Sequence, residues 1–318
     1  MRIGHLAALA ATVVFLTTSM ATAALNIVTT TGMIGDVARH VAGDHALVTS
    51  LMGEGVDPHL YTPRASDVRR ILAAELVLYN GLMLEGRMET IFKRAAERGR
   101  RVHAVAEGLD KAYLLANADQ PGHPDPHVWM DVKAWGLVTL EISKALCQAD
   151  PEHCDDYERN AKAYVEQLEV LDAFMRDALH SVPKSHRVLV TAHDAFSYFG
   201  RAYDVEVLGI QGVSTESEAG IADINAIVDL LVSRKIPAVF VESSVPDKYV
   251  RALIEGAASR GHVVVIGGEL FSDAMGHPGT HEGTYVGMMA HNGSTIAKGL
   301  GGEVPMVAGV NAPETPNP

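Results

Sequence analysis

Cysteine is scarce in this chain of 318 residues, which contains only two. Two cysteines are too few for a fold held together by several disulfides, and too few for a cysteine-rich zinc module. Both lie in the segment CQADPEHC, as Cys147 and Cys154, and Pro151 between them is expected to break a helix and turn the chain. The segment is compatible with a local disulfide and equally with two separate, small buried side chains.

Positive charge is also scarce, because 26 lysine and arginine residues stand against 39 aspartate and glutamate residues, which gives a net charge of −13. An acidic chain lacks the long-range attraction for phosphate backbones on which nucleic-acid-binding proteins depend. We therefore expect no nucleic acid among the partners of this protein. Histidine, by contrast, is plentiful at 15 residues, which is more than solubility or packing requires.

Long apolar runs are absent from the sequence apart from one near its start. Residues 6–18 (LAALAATVVFLTT) follow the basic Arg2 and precede the small residues Ala21 and Ala23. A membrane anchor is the alternative interpretation, but this run is shorter than the ~20 residues that cross a bilayer. The pattern therefore predicts a cleaved signal peptide over residues 1–23. Since no cysteine follows the run, we expect a mature chain without a lipid anchor, free in the periplasm.

Strand-like and helix-like segments alternate along the rest of the chain. Short runs rich in β-branched residues, such as NIVTT and RVLVT, are each followed by a polar turn and a helical pattern. This alternation is typical of α/β proteins with parallel sheets. Apolar residues at three- and four-residue steps predict one continuous helix over 155–181. We therefore predict two similar α/β lobes, residues 24–154 and 182–310, joined by that long rigid helix, with a loose tail at 311–318.

Two helix starts in the first predicted lobe can be placed from local residues. Ser66 is suited to cap a helix that runs to Ala74, with Asp67 favourably placed in its first turn. A further helix is predicted over residues 85–98.

Four residues with metal-binding side chains lie in loops of the predicted α/β pattern, most of them directly after a strand: His59, His127, His193 and Asp273. In open α/β sheets, ligands bind outside the carboxyl ends of the strands. Two of the four come from each predicted lobe, so only the cleft between the lobes can bring them together. Three neutral imidazoles and one carboxylate suit a divalent transition metal such as Zn²⁺. The prolines before His59 and His127 restrict the backbone and favour a fixed ring direction.

Each of these residues also has an ordinary interpretation. A single loop histidine is usually solvated or caps a helix, and Asp273 alone is typical of a turn. The wide spacing of the four along the chain forms no local motif. Further residues are candidates for supporting roles near the site. His277 and His281 are candidates for positions beside the metal, and His123 for a loop that shuttles metal inward. Glu242 and Asp131 are candidate carboxylates that orient histidines.

The mature chain carries six motifs in order that resemble those of the zinc/manganese ABC-transporter substrate-binding receptors, the TroA- and ZnuA-like group: GVDPHLYTP, DPHVWMD, TAHDAFSYFG, QGVSTESEAG, VFVESSVP and FSDAMGHPGTHEGTYVGMM. The resemblance covers nearly the whole mature chain. It implies two α/β lobes joined by one rigid helix, with metal bound between them. It assigns the ligands to His59, His127, His193 and Asp273.

The resemblance also bears on the choice of metal. Receptors of this group that prefer manganese or iron often carry glutamate at the third ligand position, where this chain has His193. Imidazole favours Zn²⁺ over the oxygen-preferring Mn²⁺. The segment before His127 is short and has one histidine, whereas many zinc receptors carry a long histidine-rich loop there. This departure favours the TroA-like branch, some members of which resemble carriers of both ions.

The expected function is the capture of Zn²⁺, or alternatively Mn²⁺, by a monomeric receptor that delivers it to an inner-membrane ABC permease and is not an enzyme. A zinc metallohydrolase is the main alternative. Catalytic zinc keeps one position open for water, however, and the chain has no HExxH motif. An adhesin-like surface protein and a receptor for an organic solute are further alternatives. Pockets for organic solutes usually offer aromatic platforms and arginine clamps, which the four loops lack.

Overall fold

The computed structural model describes residues 24–117 and 119–311. Its first part alternates strands with helices: β1 (Leu25–Thr29), α1 (Gly32–Ala42), β2 (Ala46–Ser50), α2 (Ala65–Ala73), β3 (Leu76–Tyr79), α3 (Glu89–Glu97), β4 (Arg101–Ala104) and α4 (Val132–Ala149). The strands form one parallel sheet in the order β2-β1-β3-β4. We call these elements the N-terminal lobe.

Both faces of this sheet are covered, as parallel sheets require. Successive side chains of a strand point to opposite faces, and β1 shows this directly. Ile27 packs on one face in an apolar cluster with Val37 of α1, whereas Val28 packs on the other face with Ile71 of α2 and Phe92 of α3. The short apolar strands of the sequence are therefore buried strands, and their carboxyl ends are left to form loops.

The long helix α5 (Cys154–His180) follows, and the chain then alternates again: β5 (Val188–His193), α6 (Ser197–Tyr203), β6 (Glu206–Gln211), α7 (Ile221–Arg234), β7 (Ala238–Glu242), α8 (Lys248–Ser259), β8 (Val265–Leu270) and α9 (Tyr285–Gly299). Strand β5 pairs with β6 and β7 pairs with β8, both in parallel, and β5 lies beside β7. We call the elements after α5 the C-terminal lobe. The predicted α/β class is confirmed, while the exact limits of the two lobes stay a prediction.

Helix α5 has 27 residues, which corresponds to about 40 Å at the rise of an α-helix. Its buried residues recur every three or four positions, as Tyr157, Ala161 and Tyr164 do, and it contacts α1 and α4 of the N-terminal lobe and α6 and α9 of the C-terminal lobe. These residues belong to one apolar core that also contains Trp135 and Tyr285, whose rings stack with centroids 5.4 Å apart. The two lobes therefore share a core.

A disulfide joins Cys147 in the last turn of α4 to Cys154, the first residue of α5. Pro151 lies between them in a short 3₁₀ turn, so the predicted reversal of the chain is present. Of the two possibilities that the sequence leaves open, the structure has the local disulfide.

Helix α2 begins at Ala65, with Arg64 at the cap position, so the predicted cap at Ser66 is wrong. The reason is the carboxylate of Asp67, which accepts the backbone amide of Arg64 at 2.8 Å. That bond closes the first turn from within the helix and leaves Ser66 inside it.

Helix α3 begins at Glu89, whereas the sequence pattern predicts a start near Glu85. The Glu85 side chain is buried, and its carboxylate accepts the hydroxyl of Thr30 at 2.7 Å and the backbone amide of Asn80 at 2.8 Å. These bonds hold Glu85 in an irregular turn between β3 and α3. A tertiary contact therefore overrides the helical pattern there.

The predicted signal peptide, residues 1–23, and most of the predicted tail lie outside the described residues. Within the residues that are described, no helix combines the length and the apolar character needed to cross a membrane. The signal peptide accordingly stays a prediction from the sequence.

Candidate metal centre

The four predicted ligands, which are far apart in the sequence, meet at one point between the lobes. One ligand atom from each of His59, His127, His193 and Asp273 lies within 4.8 Å of the others. His59 and His127 lie in loops that follow β2 and β4, His193 is the last residue of β5, and Asp273 follows β8. The site is thus built at the carboxyl ends of parallel strands, where α/β sheets bind their ligands.

Four distances between the ligand atoms are close to the edge length of a tetrahedral metal site. The Nε2 atoms of His59 and His127 are 3.3 Å apart, and His193 Nε2 lies 3.3 Å from Asp273 Oδ2. Asp273 Oδ1 lies 3.5 Å from His127 Nε2, and Asp273 Oδ2 lies 3.7 Å from His59 Nε2. A tetrahedron with ligand bonds of ~2.0 Å has edges of roughly 3.3 Å. The four groups therefore have the spacing of a first-row transition-metal site.

The centre also leaves buried polar atoms without hydrogen bonds. Among the described residues, neither carboxylate oxygen of Asp273 has a hydrogen-bond partner, and neither does Nε2 of His193. Asp273 is 1% exposed and His193 is 0% exposed, so bulk water does not reach them. A buried carboxylate without partners is costly, and a divalent cation at the centre would satisfy these atoms together.

Two of the three histidines are oriented by buried carboxylates. Asp125 Oδ1 lies 2.7 Å from Nδ1 of His127, and Glu242 Oε2 lies 2.5 Å from Nδ1 of His193. Glu242 also accepts the backbone amide of His193 at 2.9 Å. A carboxylate on Nδ1 holds the proton there and leaves the lone pair of Nε2 directed at the metal position.

The sequence identifies only one of these two carboxylates. The proposed contact of Glu242 with a histidine is present, but Asp131 instead caps α4, where it accepts the backbone amide of Lys133 at 3.0 Å. Sequence reasoning missed Asp125. A signal for it exists in the Asp-Pro-His motif, because an aspartate two residues before a histidine can accept that residue's amide, as Asp125 does for His127 at 2.9 Å.

His59 is held differently from the other two histidines. Asp57 accepts its backbone amide at 2.8 Å, but no described residue forms a hydrogen bond with its Nδ1. His59 is 7% exposed, against 0% for His127, and it lines a cavity of about 270 Å³ together with Arg87 and Glu216. We call His59 with Asp57 the open side of the site, and the other three ligands the closed side.

The closed side is secured by hydrogen bonds between the lobes. Trp129 Nε1 donates to the carbonyl of Ser272 at 2.9 Å, and the hydroxyl of Tyr285 donates to the carbonyl of Trp129 at 2.7 Å. The hydroxyl of Tyr198 donates to the carbonyl of Asp125 at 2.9 Å. All three hydrogen bonds are buried. They fix the loop that carries His127 relative to the loop that carries Asp273.

Burial and carboxylate neighbours push the pKa values of the histidines apart. Burial lowers the pKa of His59 to about 3. At His127 burial acts in the same direction, but attraction to Asp125 and Asp273 outweighs it and raises the pKa to about 9. The pKa of His193 is raised well above its ordinary value in the same way. Burial alone would raise the pKa of Asp273, yet His193 and His127 hold it well below its usual range.

The other histidines considered from the sequence lie elsewhere. His277 contacts the carbonyl of Pro278 in its own loop, and His281 contacts the carbonyl of Val310. His123 lines a separate cavity. None of the three belongs to the group of four ligands.

Comparison with protein-family models matches residues 27–299 to the family described as ZnuA, zinc-uptake complex component A periplasmic. The chain belongs to this family. The match covers the described part of the chain almost from end to end, and the resemblance seen in the six motifs is confirmed.

Individual members of the zinc-uptake family are close in sequence. The chain is 47% identical over 276 residues to the manganese-binding lipoprotein MntA of Bacillus subtilis, which covers 87% of this chain and 90% of MntA. It is 48% identical over 275 residues to the zinc-binding protein TroA of Treponema pallidum, covering 86% and 88%. The solved structure of that TroA matches with a TM-score of 0.84 over 87% of this chain and 99% of the other. The α/β fold is thereby confirmed.

The expectation about cellular location is wrong in one respect. MntA is named a lipoprotein, and so is ScbA of Streptococcus cristatus, a metal ABC transporter substrate-binding protein that is 33% identical over 281 residues, or 87% of this chain and 89% of ScbA. These relatives contradict a free periplasmic protein without a lipid anchor. The expectation rested on the absence of a cysteine after the first apolar run. That absence concerns one kind of lipid-attachment signal, in residues that the structure does not describe.

Proposed function

We propose that this protein is the metal-capturing receptor of an ABC importer, and that it binds Zn²⁺, with Mn²⁺ as the alternative, through His59, His127, His193 and Asp273. The observation that carries the proposal is the buried cluster of three imidazoles and one carboxylate, whose ligand atoms lie within 4.8 Å of one another. The names of the relatives support the class, since TroA is a zinc-binding protein, MntA a manganese-binding protein and ScbA an ABC transporter substrate-binding protein.

The donor set supports zinc over manganese. Zn²⁺ takes four ligands at ~2.0 to 2.2 Å, with imidazole nitrogen among its preferred donors, and the ligand edges of 3.3 to 3.7 Å fit bonds of that length. Mn²⁺ prefers oxygen donors, of which the four ligands offer one carboxylate. MntA and TroA bear the names of different metals, so the choice needs a direct competition experiment.

The same geometry favours a receptor over a metallohydrolase. A catalytic zinc keeps one coordination position for water or substrate, whereas all four corners here are protein side chains. In a receptor that arrangement is an advantage, because an ion that exchanges all its water for protein ligands is held firmly until it is handed on. The proposed cargo is the ion itself, and the proposed recipient is the permease of the importer.

The shared core limits how the receptor can open. Relative motion of two domains is the default unless their interface is large and apolar, and here the lobes share buried residues such as Trp135 and Tyr285. We therefore propose that the lobes of residues 24–154 and 182–310 tilt only slightly about α5, and that a single chain suffices as the working unit. Release of the ion then depends on local movement at the site.

Competition titrations with a chromophoric chelator would test the proposal. We expect metal-free wild-type protein to bind one Zn²⁺ much more tightly than ~1 μM, and to prefer Zn²⁺ when Mn²⁺ is added at equal concentration. Asp273→Asn should weaken binding by about 3 to 5 kcal/mol, because it removes the one carboxylate among the four proposed ligands in a buried site. Asp44→Asn, a matched change of an exposed aspartate, should leave affinity unaltered.

Wild-type affinity no better than micromolar would refute the receptor, and so would an Asp273→Asn variant that binds as tightly as the wild type. A zinc-dependent hydrolytic turnover that is lost in the same variant would favour the metallohydrolase instead.

A further inference from the structure

Asp57 is shared between a proposed metal ligand and the opposite lobe. Its Oδ1 accepts the backbone amide of His59 at 2.8 Å, and its Oδ2 accepts the hydroxyl of Thr215 at 2.6 Å. Thr215 belongs to the C-terminal lobe and is 9% exposed. One carboxylate therefore links the position of His59 to a contact between the lobes.

Thr215 lies on a short segment, residues 212–216, which we call the strap because it crosses to the N-terminal lobe at both of its ends. At the first end the backbone amide of Val213 donates to Asp119 Oδ2 at 2.8 Å. At the second end Glu216 pairs with Arg87 at 2.9 Å. The contact of Thr215 with Asp57 lies between these two attachments.

Two details show that the strap is fitted to the loop of His59. A Cβ atom on Gly212 would lie 2.0 Å from Asp119 Oδ2, so a side chain there would require that carboxylate to move. Arg87, which pairs with the strap, also donates from Nη1 to the carbonyl of Leu60 at 2.9 Å. The strap is therefore connected to the backbone on both sides of His59, through Asp57 before it and Leu60 after it.

This indirect attachment matters because His59 has no carboxylate on its ring. His127 and His193 each have one within 2.7 Å of Nδ1, so a side chain holds each of these rings directly. Among the described residues no hydrogen bond holds Nδ1 of His59, so the direction of its ring depends on its backbone turn, in which Asp57 accepts the amide of His59. The second oxygen of Asp57 is held by the hydroxyl of Thr215. Loss of that hydrogen bond would therefore loosen the turn that positions His59.

We propose that Thr215 is the positioning residue for His59 and that its hydroxyl, acting through Asp57, sets how fast the ion leaves the site. The inference rests on the proposed function, since it needs a bound ion. When the hydroxyl contact is broken, Asp57 is free to turn away and His59 leaves the ion more often. An ion held by the closed side alone then exchanges through the cavity beside His59.

The test is the rate of Zn²⁺ dissociation from the full chain into excess chelator, followed by stopped flow. Thr215→Val removes the hydroxyl and keeps the shape, and we expect roughly tenfold faster release, as for loss of one hydrogen bond to a charged group. Thr215→Ser keeps the hydroxyl and should release at the wild-type rate. Thr139→Val is the matched control, because Thr139 is buried and donates only within α4, to the carbonyl of Trp135.

Equal rates for Thr215→Val and wild type would overturn the inference, as would equal acceleration by Thr139→Val, which would point to general loosening of the fold. The spectrum of bound Co²⁺ gives a second measurement. We expect Thr215→Val to shift it toward the spectrum of His59→Ala, whereas Thr215→Ser should not.

Combining the variants shows whether Thr215 acts through His59. In a His59→Ala background, Thr215→Val should cause no further acceleration of release, because the residue it positions is gone. A full additional acceleration would refute the inference. Wild-type protein without Zn²⁺ affinity would refute the proposed function and this inference with it, whereas a wild type that binds Zn²⁺ and a Thr215→Val variant that releases it at the same rate would refute the inference alone.

Discussion

Two turns with the same sequence, Asp-Pro-His, present two proposed ligands of one site and hold them in different ways. In the first, one carboxylate oxygen of Asp125 lies within hydrogen-bond distance of both the backbone amide and the ring Nδ1 of His127. In the second, one oxygen of Asp57 accepts the backbone amide of His59 but does not contact its ring. The other oxygen accepts the hydroxyl of Thr215 across the cleft. The local sequence sets the turn, and the surroundings decide whether the aspartate also holds the ring.

The comparison extends to the walls behind each turn. Behind His127, buried hydrogen bonds such as that from Trp129 to Ser272 join the lobes. Beside His59 a cavity opens, bordered by the exposed pair of Arg87 and Glu216. The difference suggests a division of roles within the site of a metal carrier. Rigidly held ligands on one side provide affinity, and a more mobile ligand on the other side allows the ion to exchange.

Removing one histidine from each side should break the comparison most strongly. We expect His127→Ala to lose more than about 100-fold in Zn²⁺ affinity, beyond the loss typical of a mere orienting partner, because it removes a ligand and also takes the imidazole away from the buried carboxylate of Asp125. His59→Ala should lose less, since water from the cavity can take its place. Competition titration measures both, and equal losses would show that the two sides do not differ.

Changing the aspartates should give the next largest effect. Asp125→Asn should weaken Zn²⁺ binding about 10- to 100-fold, the usual range for a carboxylate that orients a ligand. Asp57→Asn should weaken it less, because asparagine keeps an oxygen for the amide of His59 and its NH₂ group can donate to the hydroxyl of Thr215. The same titration would contradict us if Asp57→Asn proved the more damaging change.

Proton release on binding should sharpen the comparison further. With a pKa of about 9, His127 carries a proton at neutral pH in the metal-free protein, and the ion must displace it. With a pKa of about 3, His59 is already neutral. Zn²⁺ affinity should therefore rise with pH toward 9, with the protons coming from the closed side.

Calorimetry in buffers of different ionisation enthalpy counts these protons. His127→Ala should reduce the number released at neutral pH by about one, and His59→Ala should leave it unchanged. The same raised pKa bears on the metal-free fold. The charged His127 stabilises that fold fully below its ordinary pKa of 6.5, and this contribution is lost as pH rises through 9. A proton count that responds to His59→Ala instead would contradict this assignment.

The smallest effect is expected at the rim of the cavity. Arg87 and Glu216 are 44% and 48% exposed, and exposed pairs of this kind contribute about 0 to 1 kcal/mol. Arg87→Gln should therefore speed Zn²⁺ release by less than about fivefold, and added salt should reduce the difference from wild type. A change larger than that of Thr215→Val would mean that the ion pair, and not the hydroxyl, secures the strap.

How far the sequence predicts this site depends on the distance over which each contact acts. The four ligands follow strands whose ends must meet in an α/β fold, so their convergence can be predicted. Asp125 is two residues from His127, and its role could have been read from the same motif. Thr215 contacts Asp57 across 158 positions, and nothing in the local pattern of either segment indicates that pairing.

The secondary structure shows the same limit. Helix α5 lies at Cys154–His180, where the periodicity predicts a helix over 155–181, because its local preferences and its burial agree. Helix α3 starts late because Glu85 is drawn into bonds with Thr30 and Asn80, which are partners that only the folded sheet brings near. The disulfide, too, was undecided until the turn that joins Cys147 to Cys154 was in place.

The way α5 is embedded has a consequence for how the molecule denatures. A helix whose buried stripe packs against elements of both lobes cannot leave one lobe without exposing the core of the other. Melting of the metal-free chain should therefore be a single cooperative transition in calorimetry, despite its two sets of parallel strands. Either lobe expressed alone would present a broad apolar face to water, and we expect it to aggregate before it folds.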